Sequence, residues 1–155
     1  MRGGMNMTSV YLAGPITGLS WEQATAWRRE AADYLRRHGV VARSPMRGQE
    51  FLAEEEIIKG CNKDSFLTSA RACVTRDHYD VKHADLVICN FLGAYERISA
   101  GTLVEVGWAS AIGTPIIAIG EEDNPHLHDF VRENCDWVVP TLRDALKIAV
   151  HVVCV

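Results

Sequence analysis

The run Leu86-Val87-Ile88-Cys89-Asn90-Phe91, followed after a loop by Ser99-Ala100-Gly101-Thr102-Leu103-Val104-Glu105-Val106-Gly107-Trp108-Ala109, decides the fold. The first part is short and apolar and reads as a buried strand. The second opens a helix, Thr102 to Ile112, that Gly113 ends, and Pro115 to Ile119 is again continuously apolar, as central parallel strands are. Strand, helix, strand in this order is the unit of a parallel sheet covered by helices. At the mouth of such a sheet, loops from the carboxyl ends of the strands meet helix N-termini that offer free N–H groups. Glu105 stands at that mouth, and few carboxylates keep such apolar company. It is the first candidate for chemistry.

The same alternation extends in both directions. Val10 to Ala13 reads as strand one and runs into the loop Gly14-Pro15-Ile16-Thr17-Gly18. Ser20 and Gln23 form a capping box; Ala24, Trp27, Ala31 and Leu35 then recur at helical spacing until Gly39. Val40 to Ala42 is strand two, and Pro45 to Gly60 is a long polar connection with one short helix. A helix in one or two pieces follows from Ser65 to Ala84, with Asp77, Asp80 and Asp85 towards its end, where acids oppose the helix dipole. Asn124-Pro125 starts another helical turn, Trp137 to Val139 is strand five, and Thr141 caps a last helix that buries Leu142, Ala145, Leu146 and Ala149. The expected fold is therefore α/β: one doubly wound domain, flavodoxin- or Rossmann-like, over residues 9–155. Its sheet has five mostly parallel strands with helices on both faces, and residues 1–8 form a flexible start.

Composition narrows the partners. The 155 residues are 48% hydrophobic and 23% charged, as in an ordinary globular domain. No stretch is long enough to span a membrane, and Met1 to Met7 lacks the apolar core of a signal peptide. A net charge of −4 argues against nucleic acid and leaves a small metabolite as the expected partner. The odd set Cys61, Cys73, Cys89, Cys135 and Cys154 has no metal or redox spacing and reads as reduced thiols in a cytoplasmic protein, with Cys89 in the core. His126 and His128 lack further ligands for a metal and read as a solvated helix start. Neither a dinucleotide fingerprint nor a metal cluster is present, so no cofactor is expected.

Three segments carry a likeness: Tyr11-Leu12-Ala13-Gly14-Pro15 after strand one, Asp77 eight residues before Asp85, and the Gly101 to Ala109 run. In their order and spacing the chain resembles the nucleoside 2-deoxyribosyltransferase family, including its branch of nucleoside 5′-monophosphate N-glycosidases. The resemblance implies that Glu105 attacks the anomeric carbon of the sugar and forms a glycosyl ester, which water or an acceptor base resolves. Breaking the C1′–N bond builds positive charge on the ring, and a carboxylate beneath it can stabilise and trap that charge. Asp77 matches the family aspartate that protonates or positions the base. Ser99 stands where the nucleoside-specific members carry aspartate and the monophosphate hydrolases serine, which favours a 5′-phosphate held with Gly101 and Thr102 at a helix start. Pro15 and Thr17 replace the serine and arginine of mammalian-type hydrolases, leaving Arg43 and Arg47 as candidate phosphate ligands. Relatives complete their sites across subunits, which implies a homo-oligomer.

Of the remaining residues, Tyr11 lines the substrate site or sits in the core, while Gly14, Pro15 and Ile16 form a loop that admits a ligand. Gly14 and Gly101 read as points of close ligand approach and Gly107 as tight helix–sheet packing. Trp27 and Trp108 read as packing, and Glu105 as an exposed carboxylate whose loss leaves the fold intact. Asp85 reads as a structural turn into strand three. A non-catalytic nucleotide-binding module is the alternative to an enzyme, because fold does not fix function.

Overall fold

A computed structural model describes residues 7–62 and 65–154; most of the expected flexible start, residues 1–6, lies outside them. Five strands, β1 (Ser9–Ala13), β2 (Val41–Arg43), β3 (Leu86–Asn90), β4 (Ile116–Ile119) and β5 (Trp137–Val139), form one sheet in the order β2-β1-β3-β4-β5. Every pairing is parallel. The helices are α1 (Trp21–Arg37), α2 (Ala70–His83), α3 (Ala100–Ile112), the short α4 (Asp129–Arg132) and α5 (Leu142–Val153), with 3₁₀ turns at Glu50–Glu54 and Pro125–Leu127. No helix among the described residues is long and apolar enough to cross a membrane.

Strand alternation builds two cores. Val10 and Leu12 face α1 and α5, joining Ala31, Leu35, Ala145, Leu146 and Ala149. Tyr11 and Ala13 face the other side, with Val81 of α2 and Val106 and Ala109 of α3. Cys89 belongs to this second core, as its apolar run requires. A third cluster, Ala24, Met46, Leu52 and Ile58, fastens the connection after β2 to the start of α1. Ser20 and Gln23 close the capping box, and Gly113 ends α3 in the left-handed region at φ 76°, where glycine has no steric penalty.

Aspartates tie the amino ends of the strands together. Ser9 N–H donates to Asp85 across 2.7 Å, and Ile116 N–H to Asp136 across 2.8 Å. Asp85 is thus the structural turn its position suggests. Asp80 is different: it is wholly buried and receives Arg43 and Arg47, so it answers those cations rather than opposing a dipole. Two glycine readings are corrected. A Cβ on Gly107 would meet nothing within 4 Å, so packing does not require glycine there. On Gly14 it would sit 3.0 Å from the Asn90 carbonyl and 3.1 Å from the Trp27 ring, so protein packing by itself excludes a side chain.

The chain order places the site. From β1 it turns to β2 on one side, then crosses to β3 on the other, so the loops after β1 and β3 diverge and leave a crevice between them. Gly14 to Thr17 follow β1, and the loop ending at Ser99 follows β3.

Candidate active site

A cavity of about 270 Å³ fills this crevice. Gly14, Pro15, Ile16 and Thr17 form one wall; Ser99, Gly101, Thr102 and Glu105 the other; Asp77 comes from α2. The residues singled out in the sequence therefore meet in one place, with the exceptions of Tyr11 and of the candidate phosphate ligands Arg43 and Arg47. The Tyr11 side chain is fully buried and lies behind the cavity, where its hydroxyl donates to Glu105 Oε1 across 2.7 Å. It supports the carboxylate instead of lining the substrate site.

Glu105 is only 8% exposed, which corrects the expectation of an exposed group. Burial pushes its carboxyl up, to about 7; the Tyr11 hydrogen bond opposes this, the charge of Asp77 adds to it, and Arg28 and Arg76 oppose it. Such a group changes charge close to neutrality. Asp77 is also raised by burial, against the pull of Arg76, whose guanidinium donates to Asp77 Oδ1 at 3.0 and 3.1 Å. Arg76 in turn is held by the Pro45 and Arg47 carbonyls.

Ile16, Thr17 and Asp77 also line a second hollow of about 120 Å³, with Met46, Leu52, Ile58, Gln49 and Cys73. Gln49 is buried, and its amide donates to the Cys73 sulfur at 3.6 Å. Ser99 lies at the other end. Its hydroxyl bonds Thr102 Oγ1 at 2.8 Å rather than capping the α3 backbone, so the first N–H groups of that helix keep their anion-binding capacity. Arg97 lines the cavity beside it. Arg43 and Arg47, the cations expected there, are engaged by Asp80 and open onto a separate hollow with Tyr79 and His83.

His126 overturns its solvated reading. It is 1% exposed and stacked on Phe91 at 4.7 Å. Its Nε2 accepts the Ser99 N–H at 2.8 Å, which leaves the proton on Nδ1, 3.1 Å from Asn124 Oδ1. Burial lowers its pKa and keeps the ring neutral, as an acceptor must be. His128 is exposed and caps α4 through Phe130 N–H. Among the described residues no group of three or more His, Cys, Asp or Glu is placed to hold a metal.

A family profile described as Nucleoside 2-deoxyribosyltransferase matches residues 10–145, a span that includes the buried carboxylate, its tyrosine and the neighbouring aspartate. The chain belongs to the nucleoside 2-deoxyribosyltransferase family. No curated protein matches it. Solved structures share its fold. A conserved protein from Enterococcus faecalis V583 is 18% identical, with 92% of this chain and 97% of that one covered and a TM-score of 0.64. The CMP N-glycosidase BcmB of Clostridium botulinum is 23% identical, with 91% and 96% covered and a TM-score of 0.58. The molybdenum cofactor binding protein of Rippkaea orientalis, 15% identical, covers 94% and 96% at a TM-score of 0.57. Membership ties the chain to glycosyl chemistry on nucleosides.

Three contributors escaped the sequence reading. Arg28, on the core face of α1, is buried behind the Gly14 loop; its signal was a cation at the buried spacing of Ala24, Ala31 and Leu35. Arg97 and Gln49 sit in irregular segments without periodicity, where nothing local marks them.

Proposed function

We propose that the protein cleaves the N-glycosidic bond of a nucleoside 5′-monophosphate, or of a (deoxy)nucleoside, through a glycosyl ester on Glu105. The observation that carries this reading is a buried carboxylate, fixed by Tyr11, in one cavity with Asp77. With Oε1 engaged by tyrosine, Oε2 is the oxygen that attacks C1′ as the bond to the base breaks. Asp77 delivers a proton to the departing base, whose electron pair would otherwise be a poor leaving group. Water or an acceptor base then displaces the ester and restores the Glu105 carboxylate.

The two hollows suggest how the substrate lies. The base enters the apolar one past Asp77, within reach of Gln49, and the sugar covers Glu105. A 5′-phosphate then reaches Ser99, Thr102, the start of α3 and Arg97. We place the enzyme in the cytoplasm as a homo-oligomer without a cofactor, with the half-exposed Val104 and Ile112 of α3 offering apolar contact area.

A panel of nucleosides and 5′-monophosphates, incubated with and without an acceptor base, tests the reading by chromatography of released base. Mass spectrometry of quenched reactions should find a sugar adduct on the peptide containing Glu105. Bound but intact substrates throughout the panel would instead favour a non-catalytic binding module.

A further inference from the structure

Arg28 is a buried cation that the chemistry above does not use. It lies on the core-facing stripe of α1 and is 3% exposed. Its Nε donates to the Leu12 carbonyl at 3.2 Å, Nη2 to the Gly14 carbonyl at 3.0 Å, and Nη1 to the Ala24 carbonyl. The Trp27 ring centre is 4.6 Å from the guanidinium carbon. Among the described residues none of these hydrogen bonds ends on a carboxylate.

A cation held inside a protein by neutral partners alone is unfavourable, and methylenes or a methionine would fill the space with less penalty. Two features point to a use. The first is mechanical: Leu12 adjoins Tyr11, and Gly14 begins the cavity wall, so one planar fork sets the end of β1 and the loop that leaves it. Gly14 fits against this fork closely, since a Cβ there would stand 3.4 Å from Nη2. The second is electrostatic. Burial lowers the Arg28 pKa to about 10, so it stays charged at neutrality, and the groups that act on it are Glu105 from α3, Tyr11 from β1 and Asp77 from α2. Glu105 faces the same set, with Arg76 as its second cation.

We propose that Arg28 is a positioning residue for the Glu105 site, its guanidinium fixing the Gly14 wall of the cavity while its charge limits how far burial raises the proton affinity of the carboxylate. The proposal rests on the reading of Glu105 as nucleophile for its kinetic consequences, but its electrostatic half concerns Glu105 alone.

Two substitutions separate the halves. Arg28→Lys keeps the charge and loses the fork; Arg28→Gln keeps a donor for a carbonyl and loses the charge. The Glu105 carboxyl is titrated by ¹³C NMR, its resonance assigned with Glu105→Gln, and kcat and KM for base release are followed against pH. In Arg28→Gln the Glu105 midpoint should rise by about one unit, which lowers kcat/KM at pH 7 about fivefold and restores it at high pH. In Arg28→Lys the midpoint should stay while KM rises severalfold at nearly constant kcat, as a loosened wall requires.

An unmoved midpoint in folded Arg28→Gln overturns the electrostatic half, and an unchanged KM in Arg28→Lys overturns the mechanical one. If Arg28→Gln does not fold, the lysine variant still decides: a wild-type KM, or a shifted midpoint despite the retained charge, defeats the proposal. Absence of base release by the wild type would instead refute the proposed activity, and the NMR titration would still judge Arg28.

Discussion

At the scale of single residues, Glu105 makes the fold and the chemistry disagree. Its folded carboxyl titrates near 7, above the ordinary 4.5. Between those values the folded chain keeps a proton that the unfolded chain has lost, so stability falls as pH rises through the window. The full penalty, at most about 3 kcal/mol, applies above pH 7. Glu105→Gln keeps an acceptor for Tyr11 and removes the charge. It should abolish base release while becoming more stable than the wild type at pH 8 and equal at pH 4, as urea melts at both values would reveal. Asp77→Asn should lower kcat roughly 10²-fold on ordinary substrates and less on those with activated leaving bases. Equal losses on both would leave Asp77 a role in positioning only. That Glu105 and Asp77 share one cavity was foreseeable, Glu105 from its apolar run at the sheet mouth and Asp77 from the family resemblance. The partner of Glu105 was not: Tyr11 lies 94 positions away, and only the sheet brings them together. His126 was misread for a related reason, since the 3₁₀ turn after Asn124 rotates one histidine of the pair inward and leaves the other in water.

Among the elements, α2 and α3 divide the labour. Helix α2 carries both Asp77, aimed at the cavity, and Asp80, one turn on and locked to Arg43 and Arg47. Asp80→Asn should destabilise the fold by about 3 kcal/mol, because it strands two cations against a buried site; the half-exposed Arg47 keeps the loss at the lower end of what buried pairs show. Guanidinium denaturation would measure it, and kcat of the folded fraction should be nearly unchanged. Helix α3 offers its first turn to an anion. Ser99→Asp should therefore turn a preference for the monophosphate into one for the bare nucleoside, since a carboxylate repels phosphate and accepts from a 5′-hydroxyl. The ratio of kcat/KM for a matched pair of substrates reads this directly. Strand positions and helix stops were readable from periodicity and glycine: β5 begins and ends where the sequence places it, and β3 stops one residue short of the Leu86 to Phe91 run. The helix before β3 was drawn too long: Ser69 caps it, so it starts at Ala70 and forms one piece.

For the molecule as a whole, parallel pairing follows from the alternation of strands and helices, yet the residues that meet across the crevice do so only because strand addition switches sides of β1 between β2 and β3. The apolar side chains Val104 and Ile112 remain half exposed on α3. Light scattering on the purified chain should give at least twice the 17.2 kDa monomer mass; a strict monomer would mean that one subunit holds all of its site. The long connection after β2 has a further meaning. Met46, Leu52 and Ile58 wall the smaller hollow and pack chiefly on one another and on Ala24, whereas Glu105, Tyr11 and Asp77 are borne by α3, β1 and α2. On the proposed reading, the walls that would choose a base are thus carried largely by a different stretch of chain from the carboxylate that would break the bond. That stretch would then act as a replaceable lock plate, open to redrafting for another base while Glu105 and its tyrosine stay in place.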